Sequence, residues 1–85
     1  MDKGYVERRL NVRESGPFPA VAKLYSGQSH NCVVVNLSER GAKLVLARKG
    51  ATLPTEFELI IPSRSASWRV RVVWQEDNEL GVSRV

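Results

Sequence analysis

The chain has 85 residues, with 13 Lys and Arg against 9 Asp and Glu and a formal net charge of +4. This length allows a single domain with a modest core, and hydrophobic residues make up an ordinary 42% of it. No segment is apolar and long enough for a membrane-spanning helix or a signal peptide, and the single cysteine, Cys32, excludes an internal disulfide. The composition therefore predicts a soluble cytoplasmic protein without membrane insertion.

Arginine dominates the positive charge of the chain, since nine of the 13 cationic residues are Arg. The planar guanidinium group suits phosphate oxygens, guanine edges and aromatic stacking better than the lysine ammonium does. The net positive charge indicates an anionic partner. A nucleotide or a nucleic acid is therefore the first class of ligand to consider.

The first sixteen residues are polar and charged, and they differ in composition from the rest of the chain. Gly16, Pro17 and Pro19 mark the end of this segment, because proline disfavours helix in the residue before it and cannot donate a hydrogen bond within a sheet. The sequence thus predicts an arm over residues 1–17 and one β domain over residues 18–85.

Strand patterns recur after the arm at intervals of about 8–12 residues, separated by turn residues, and no helical periodicity is evident. This arrangement is typical of a small barrel or sandwich, and closure into a barrel would remove exposed strand edges. The predicted strands are Ala20–Tyr25, His30–Val35, Ala42–Ala47, Glu56–Ile61, Ser67–Gln75 and Leu80–Val85.

The predicted strand Ser67–Gln75 has the clearest alternation in the chain. Its large apolar side chains fall on one face and its two arginines, Arg69 and Arg71, fall on the other. Because tryptophan buries so much apolar area, both Trp68 and Trp74 are predicted to belong to the core. The two arginines are predicted to face solvent.

Arg9 and Arg13 form the first candidate site, in a segment without a strand pattern. An arginine fork donates paired hydrogen bonds to phosphate oxygens or to O6 and N7 of guanine, and its flat face stacks on a purine. Two such groups on one short tether suit a nucleotide. A charged terminus in solvent explains the pair more simply when it is considered alone.

Asn36, Ser38 and Gly41 form the second candidate site, between two apolar strands. Their amide and hydroxyl groups offer hydrogen bonds to a guanine edge or a phosphate, while glycine allows close approach of a ligand or of backbone. A plain hairpin turn is the alternative, since Asn, Ser and Gly are also the residues that turns favour.

Taken together and in this order, the two segments resemble the hallmarks of the PilZ domain family, R-x-x-x-R followed by [D/N]-x-S-x-x-G. The similarity extends to the closing strand pair, V-x-V-V-W and then G-V, here Val70–Trp74 followed by Gly81 and Val82. The resemblance implies an all-β fold, a six-stranded antiparallel barrel with a flexible N-terminal arm. It also implies that the barrel binds cyclic di-GMP at its outer surface.

The resemblance further implies a role for each site residue. Arg9 and Arg13 would recognise phosphate and guanine, with stacking. Asn36 would bind a guanine edge, Ser38 would make a polar contact, and Gly41 would set the geometry of the turn. In similar relatives, an arginine at the position of Arg8 accompanies binding of two mutually intercalated ligand molecules.

The resemblance also implies that the arm orders over the nucleotide and so signals to an effector protein, which the sequence does not identify. No cofactor is expected besides the ligand. This sequence departs from the family pattern in three places. Asn36 stands where Asp is more frequent, Arg84 stands where Phe is usual, and the fold is expected to lack the helix that many relatives add after the last strand.

Other functions receive less support from the residues. His30 and Cys32 lack partners at metal-ligand spacing and are predicted to be packing residues, so no metal site is expected. No catalytic motif occurs, which predicts that the protein is not an enzyme. Two alternatives stay open: a basic barrel that binds single-stranded nucleic acid, although aromatic residues are few, and a PilZ-like adaptor that binds only proteins.

Overall fold

The computed structural model of the protein describes residues 14–85, with side chains from Gly16 onward. Six strands account for most of this part of the chain, and a short 3-10 turn, Pro62–Arg64, joins the fourth strand to the fifth. The strands are β1 (Glu14–Lys23), β2 (Ser29–Leu37), β3 (Gly41–Leu46), β4 (Glu56–Ile61), β5 (Ala66–Glu76) and β6 (Glu79–Arg84).

The six strands close into a barrel in the order β1-β2-β3-β6-β5-β4, and every neighbouring pair is antiparallel. Closure pairs both edges of each strand, which removes the unpaired edges that promote association. The predicted all-β fold and its six-stranded barrel are confirmed. Within residues 14–85, no helix is long and apolar enough to cross a membrane.

The barrel interior is filled by apolar side chains that alternate along the strands with exposed ones, as a period of two residues requires. Phe57 and Leu44 are the largest fully buried side chains. Cys32 is also buried, as predicted, and burial raises the pKa of its thiol to about 11 despite a hydrogen bond with the backbone of Ala22. The thiol therefore serves packing and is protonated at neutral pH.

Strand β1 begins at Glu14, six residues before the predicted start at Ala20, so the last residues of the predicted arm are in strand conformation. The early start is possible because the β1–β2 register shifts between Ser15 and Phe18. Pro17 lies in this irregular stretch, where a residue without an N–H group disrupts pairing least. The remainder of the predicted arm, residues 1–13, lies outside the described residues.

Strand β5 corrects one prediction, because Trp74 is 42% exposed and does not belong to the core. The register against β6 shifts between Val72 and Trp74, so that Val73 is an extra residue and the alternation of faces is broken. Trp68, which precedes the irregularity, is partly buried and packs against the core. The predicted core position is therefore wrong for Trp74, whereas Trp68 does pack against the core.

The outer face of β5 carries Arg69 and Arg71, both exposed as predicted. Arg71 forms an ion pair with Glu56 on β4 at 2.8 Å, and the Nε atom of Arg69 donates a hydrogen bond to the Tyr25 hydroxyl at 3.1 Å. Exposed pairs of this kind add little stability. They do show that these two guanidinium groups already have partners on the barrel.

Candidate functional site

An open cavity of about 380 Å³ lies on the barrel surface where β3 begins and β6 ends, and we call it the site cavity. Its walls come from the β2–β3 turn, the start of β3, and the β5–β6 strand pair. The register places Gly41 opposite Ser83 and Lys43 opposite Gly81, which brings these segments side by side. The lining includes Asn36, Ser38, Arg40, Gly41, Lys43, Val73, Trp74, Gly81 and Ser83.

The three residues of the predicted turn site all line this cavity. Asn36 is half-buried and lies in β2, opposite Lys43, next to a register irregularity in which Val35 is the extra residue. Ser38 closes the turn, since its backbone N–H donates to the carbonyl of Gly41 at 2.9 Å and its hydroxyl donates to the same oxygen at 3.4 Å. The structure thus brings these predicted residues together at one surface.

Gly41 is required by close packing of strands rather than by an unusual backbone conformation. A Cβ atom at this position would overlap the carbonyl oxygen of Val82 and would come within 3.1 Å of the Cα atom of Ser83. Both neighbours are backbone atoms of β6 and cannot rotate away. The absence of a side chain therefore sets the separation of β3 from β6 beneath the site cavity.

The electrostatics of the site cavity favour an anionic ligand. Arg40 and Lys43 contribute positive charge, and none of the described residues that line the cavity is acidic. Glu79, outside the lining, approaches the Lys43 ammonium group at 3.5 Å, with both side chains almost half exposed. A pair that is so accessible to water is weak, so a phosphate group can compete for Lys43.

Trp74 adds an aromatic surface to the site cavity that the sequence did not predict. Its indole lies directly against Gly81, where a Cβ atom would overlap the ring nitrogen. An exposed indole that rests on a glycine presents a flat face to any base that enters the cavity. The adjacent Val73 and Trp74, which interrupt strict alternation, were the available signal for this position.

The PilZ domain family model matches residues 7–84, nearly the whole chain. The chain belongs to the PilZ domain family. Members of this family are known as receptor domains for cyclic di-GMP and act by binding rather than by catalysis. No curated protein matches the chain. The matched range contains both predicted motifs of this PilZ domain, the arginine pair and the turn that lines the site cavity.

Arg8, Arg9 and Arg13, the other predicted site residues of the PilZ domain, lie outside the described residues. Among residues 14–85, no group of three or more His, Cys, Asp and Glu side chains is arranged to hold a metal ion. Lys43, Arg40, Ser83 and Trp74 are the cavity residues that the sequence did not single out. Lys43, Ser83 and Trp74 come from β3, β6 and β5 and become neighbours through the barrel register, whereas Arg40 lies in the β2–β3 turn itself.

Proposed function

We propose that this PilZ domain is a cytoplasmic receptor for cyclic di-GMP and binds it in the site cavity. The ligand carries two phosphates and two guanines. The cavity offers two cationic side chains for the phosphates, short polar groups for guanine edges, and one aromatic face for stacking. Each part of the ligand thus has a chemically matched group among the cavity residues.

The main support for the proposal is the position at which β1 begins, next to the residues of the turn motif. Glu14 pairs with Leu37 of β2, which is itself part of the turn motif, and Ser15 pairs with Asn36. Because Arg13 directly precedes Glu14, chain connectivity limits the separation of their Cα atoms to about 3.8 Å. Arg9 is five residues from Glu14, so the chain limits this separation to about 18 Å. Both arginines are therefore tethered within reach of the site cavity.

In this proposal Arg9 and Arg13 bind phosphate and guanine, Asn36 binds a guanine edge, and Ser38 makes a polar contact. Gly41 holds the turn and β6 together beneath the ligand. The arm orders over the bound nucleotide, which changes the surface that an effector protein meets. Arg8 adds a third fork, and we propose that two mutually intercalated ligand molecules bind to each chain.

Calorimetric titration of the whole chain with cyclic di-GMP tests the proposal directly. We expect saturable heat with cyclic di-GMP, at two molecules per chain, and none with GMP or cyclic di-AMP at the same concentration. If heat were seen only with single-stranded oligonucleotides, and if that binding weakened steeply with rising salt concentration, the nucleic-acid alternative would be favoured. Absence of heat with every nucleotide would leave an adaptor that binds proteins only.

Replacement of Trp74 by alanine is expected to weaken cyclic di-GMP binding by about fivefold or more, because stacking of a base on an aromatic ring contributes about 1–3 kcal/mol. Stability should also fall, since more than half of the Trp74 surface is buried and its ring packs against Gly81. Titration and thermal unfolding of the variant measure both effects. Tyr25→Ala, which removes another exposed aromatic outside the cavity lining, is the matched control and should bind normally. Equal affinity of Trp74→Ala and wild type would exclude Trp74 as a stacking surface.

A further inference from the structure

Arg84, at the end of β6, makes three contacts that link distant parts of the barrel. Its backbone N–H donates to the carbonyl of Arg40 at 2.7 Å. Its guanidinium Nη1 donates to the carbonyl of Glu39 at 3.3 Å. The guanidinium carbon also lies 4.1 Å from the centre of the Trp68 ring on β5. One residue thus connects the β2–β3 turn to an aromatic side chain that packs against the core.

The two carbonyls that accept from Arg84 belong to Glu39 and Arg40, the exposed residues at the apex of the turn. Within the turn, the bonds from Ser38 to Gly41 close its base and leave the apex carbonyls to other donors. Any residue at position 84 except proline has the backbone N–H group that donates to Arg40. The bond to Glu39 depends on the guanidinium group alone.

Trp68 fixes the direction of that guanidinium group. The indole is partly buried against the core, so it offers a stationary face, and a cation at 4.1 Å from its centre is well within the range of a cation–π contact. A planar fork stacked in this way has lost most of its rotational freedom before it donates to Glu39. The stacked guanidinium is therefore a preorganised donor aimed at the turn.

Arg84 itself does not line the site cavity, although Ser83 before it does. Its influence on a ligand must pass through the turn that presents Ser38 and Gly41. The bond to Glu39 needs a side-chain donor, which phenylalanine, the usual residue of the family pattern at this position, does not have.

We propose that Arg84 is a positioning residue, which holds the β2–β3 turn in its ligand-binding geometry through a guanidinium group stacked on Trp68. This inference rests on the proposed binding of cyclic di-GMP in the site cavity. Loss of the guanidinium should leave the barrel folded while the turn samples other conformations. The binding-competent fraction then falls, and the apparent affinity falls with it.

Three variants test the proposal: Arg84→Phe, Arg84→Lys and the matched control Arg48→Phe, in the connection after β3 and so at the opposite end of that strand from Gly41. We expect Arg84→Phe to bind cyclic di-GMP about fivefold more weakly, because the lost bond to Glu39 is long and exposed and is therefore weaker than a typical bond from a charged group. Arg84→Lys should recover part of this loss, because an ammonium group still donates hydrogen bonds and still makes a cation–π contact, although it does not stack. Arg48→Phe removes the same charge and should bind as wild type does.

Amide hydrogen exchange of the free proteins gives a readout that needs no ligand. The amide of Ser38 donates to the carbonyl of Gly41, and the amide of residue 84 donates to the carbonyl of Arg40. In Arg84→Phe both amides should exchange several-fold faster than in wild type. Amides of β4, across the barrel from β3, should be unchanged, which separates a loosened turn from general destabilisation.

If the amides of Ser38 and residue 84 exchanged in Arg84→Phe at the wild-type rates, the inference would be wrong. It would also be wrong if they exchanged faster while the affinity for cyclic di-GMP stayed unchanged. An equal loss of affinity in Arg48→Phe would also overturn it, because charge alone would then be responsible. If wild type itself gives no heat with cyclic di-GMP, the proposed function fails. The exchange measurements would in that case still decide whether Arg84 holds the turn.

Discussion

Replacement of Arg9 or Arg13 by alanine is expected to weaken cyclic di-GMP binding by about a hundredfold or more. A hydrogen bond to a charged group contributes about 1.5–3 kcal/mol, and an arginine fork makes two of them with a phosphate or a guanine edge. The loss of one fork therefore exceeds the roughly 2.8 kcal/mol that corresponds to a hundredfold change in affinity. Titration calorimetry of each variant against wild type measures the effect.

Two further variants separate charge from geometry at these positions. Arg9→Lys keeps the positive charge but replaces the planar fork with a single ammonium group, so we expect an intermediate loss of affinity. Arg48→Ala removes one positive charge from the connection after β3, outside the site cavity lining, and should leave affinity unchanged. If both Arg9→Ala and Arg13→Ala bound cyclic di-GMP with wild-type affinity, the arginine segment would not be part of the binding site.

Most strand positions follow from local patterns in the sequence. β4 coincides with its prediction at Glu56–Ile61, and the other strands except β1 begin and end within two residues of theirs. Alternating apolar residues between turn residues fix these positions, because each strand must direct one face to the core. β1 was predicted too short, since its prolines argue against a strand unless the register shifts beside them, and such a shift depends on the neighbouring strand.

The exposure of Trp74 has a similar cause. Strict alternation assigns it to the same face as Val70, which is fully buried, and a single extra residue, Val73, reverses that assignment. The irregularity forms against Gly81, which lacks a side chain and so accepts the indole on the surface of β6. Alternation within one strand carries no information about the strand beside it.

The residues of the candidate site likewise form two groups, one predictable from a single segment and one that depends on the neighbouring strands. Asn36, Ser38 and Gly41 are close in sequence, so one turn motif was enough to predict them together. Lys43, Ser83 and Trp74 belong to three strands and meet only because β3 pairs with β6 and β6 pairs with β5. Predicting their proximity requires the barrel order, which is a property of the closed sheet rather than of any segment.

Substitution of Gly41 by alanine is expected to reduce both the stability of the barrel and its affinity for cyclic di-GMP. The new methyl group would overlap the carbonyl oxygen of Val82, and since that atom is backbone, β3 and β6 must separate. Overpacking of this kind costs about 1–3 kcal/mol, and a clash with backbone should lie near the upper end. The displaced carbonyl of Gly41 also accepts from Ser38, so the turn moves with it.

Denaturant unfolding and calorimetric titration of Gly41→Ala measure these two effects, with Gly50→Ala as the matched control. Gly50 has a φ of +80°, and a Cβ atom added there would meet nothing within 4 Å, so alanine should cost about 1–2 kcal/mol through backbone strain alone. That control should lose stability yet keep its affinity, because Gly50 lies outside the site cavity lining. If Gly41→Ala kept its affinity after a similar loss of stability, the close approach of β3 to β6 would matter for the fold and not for the ligand.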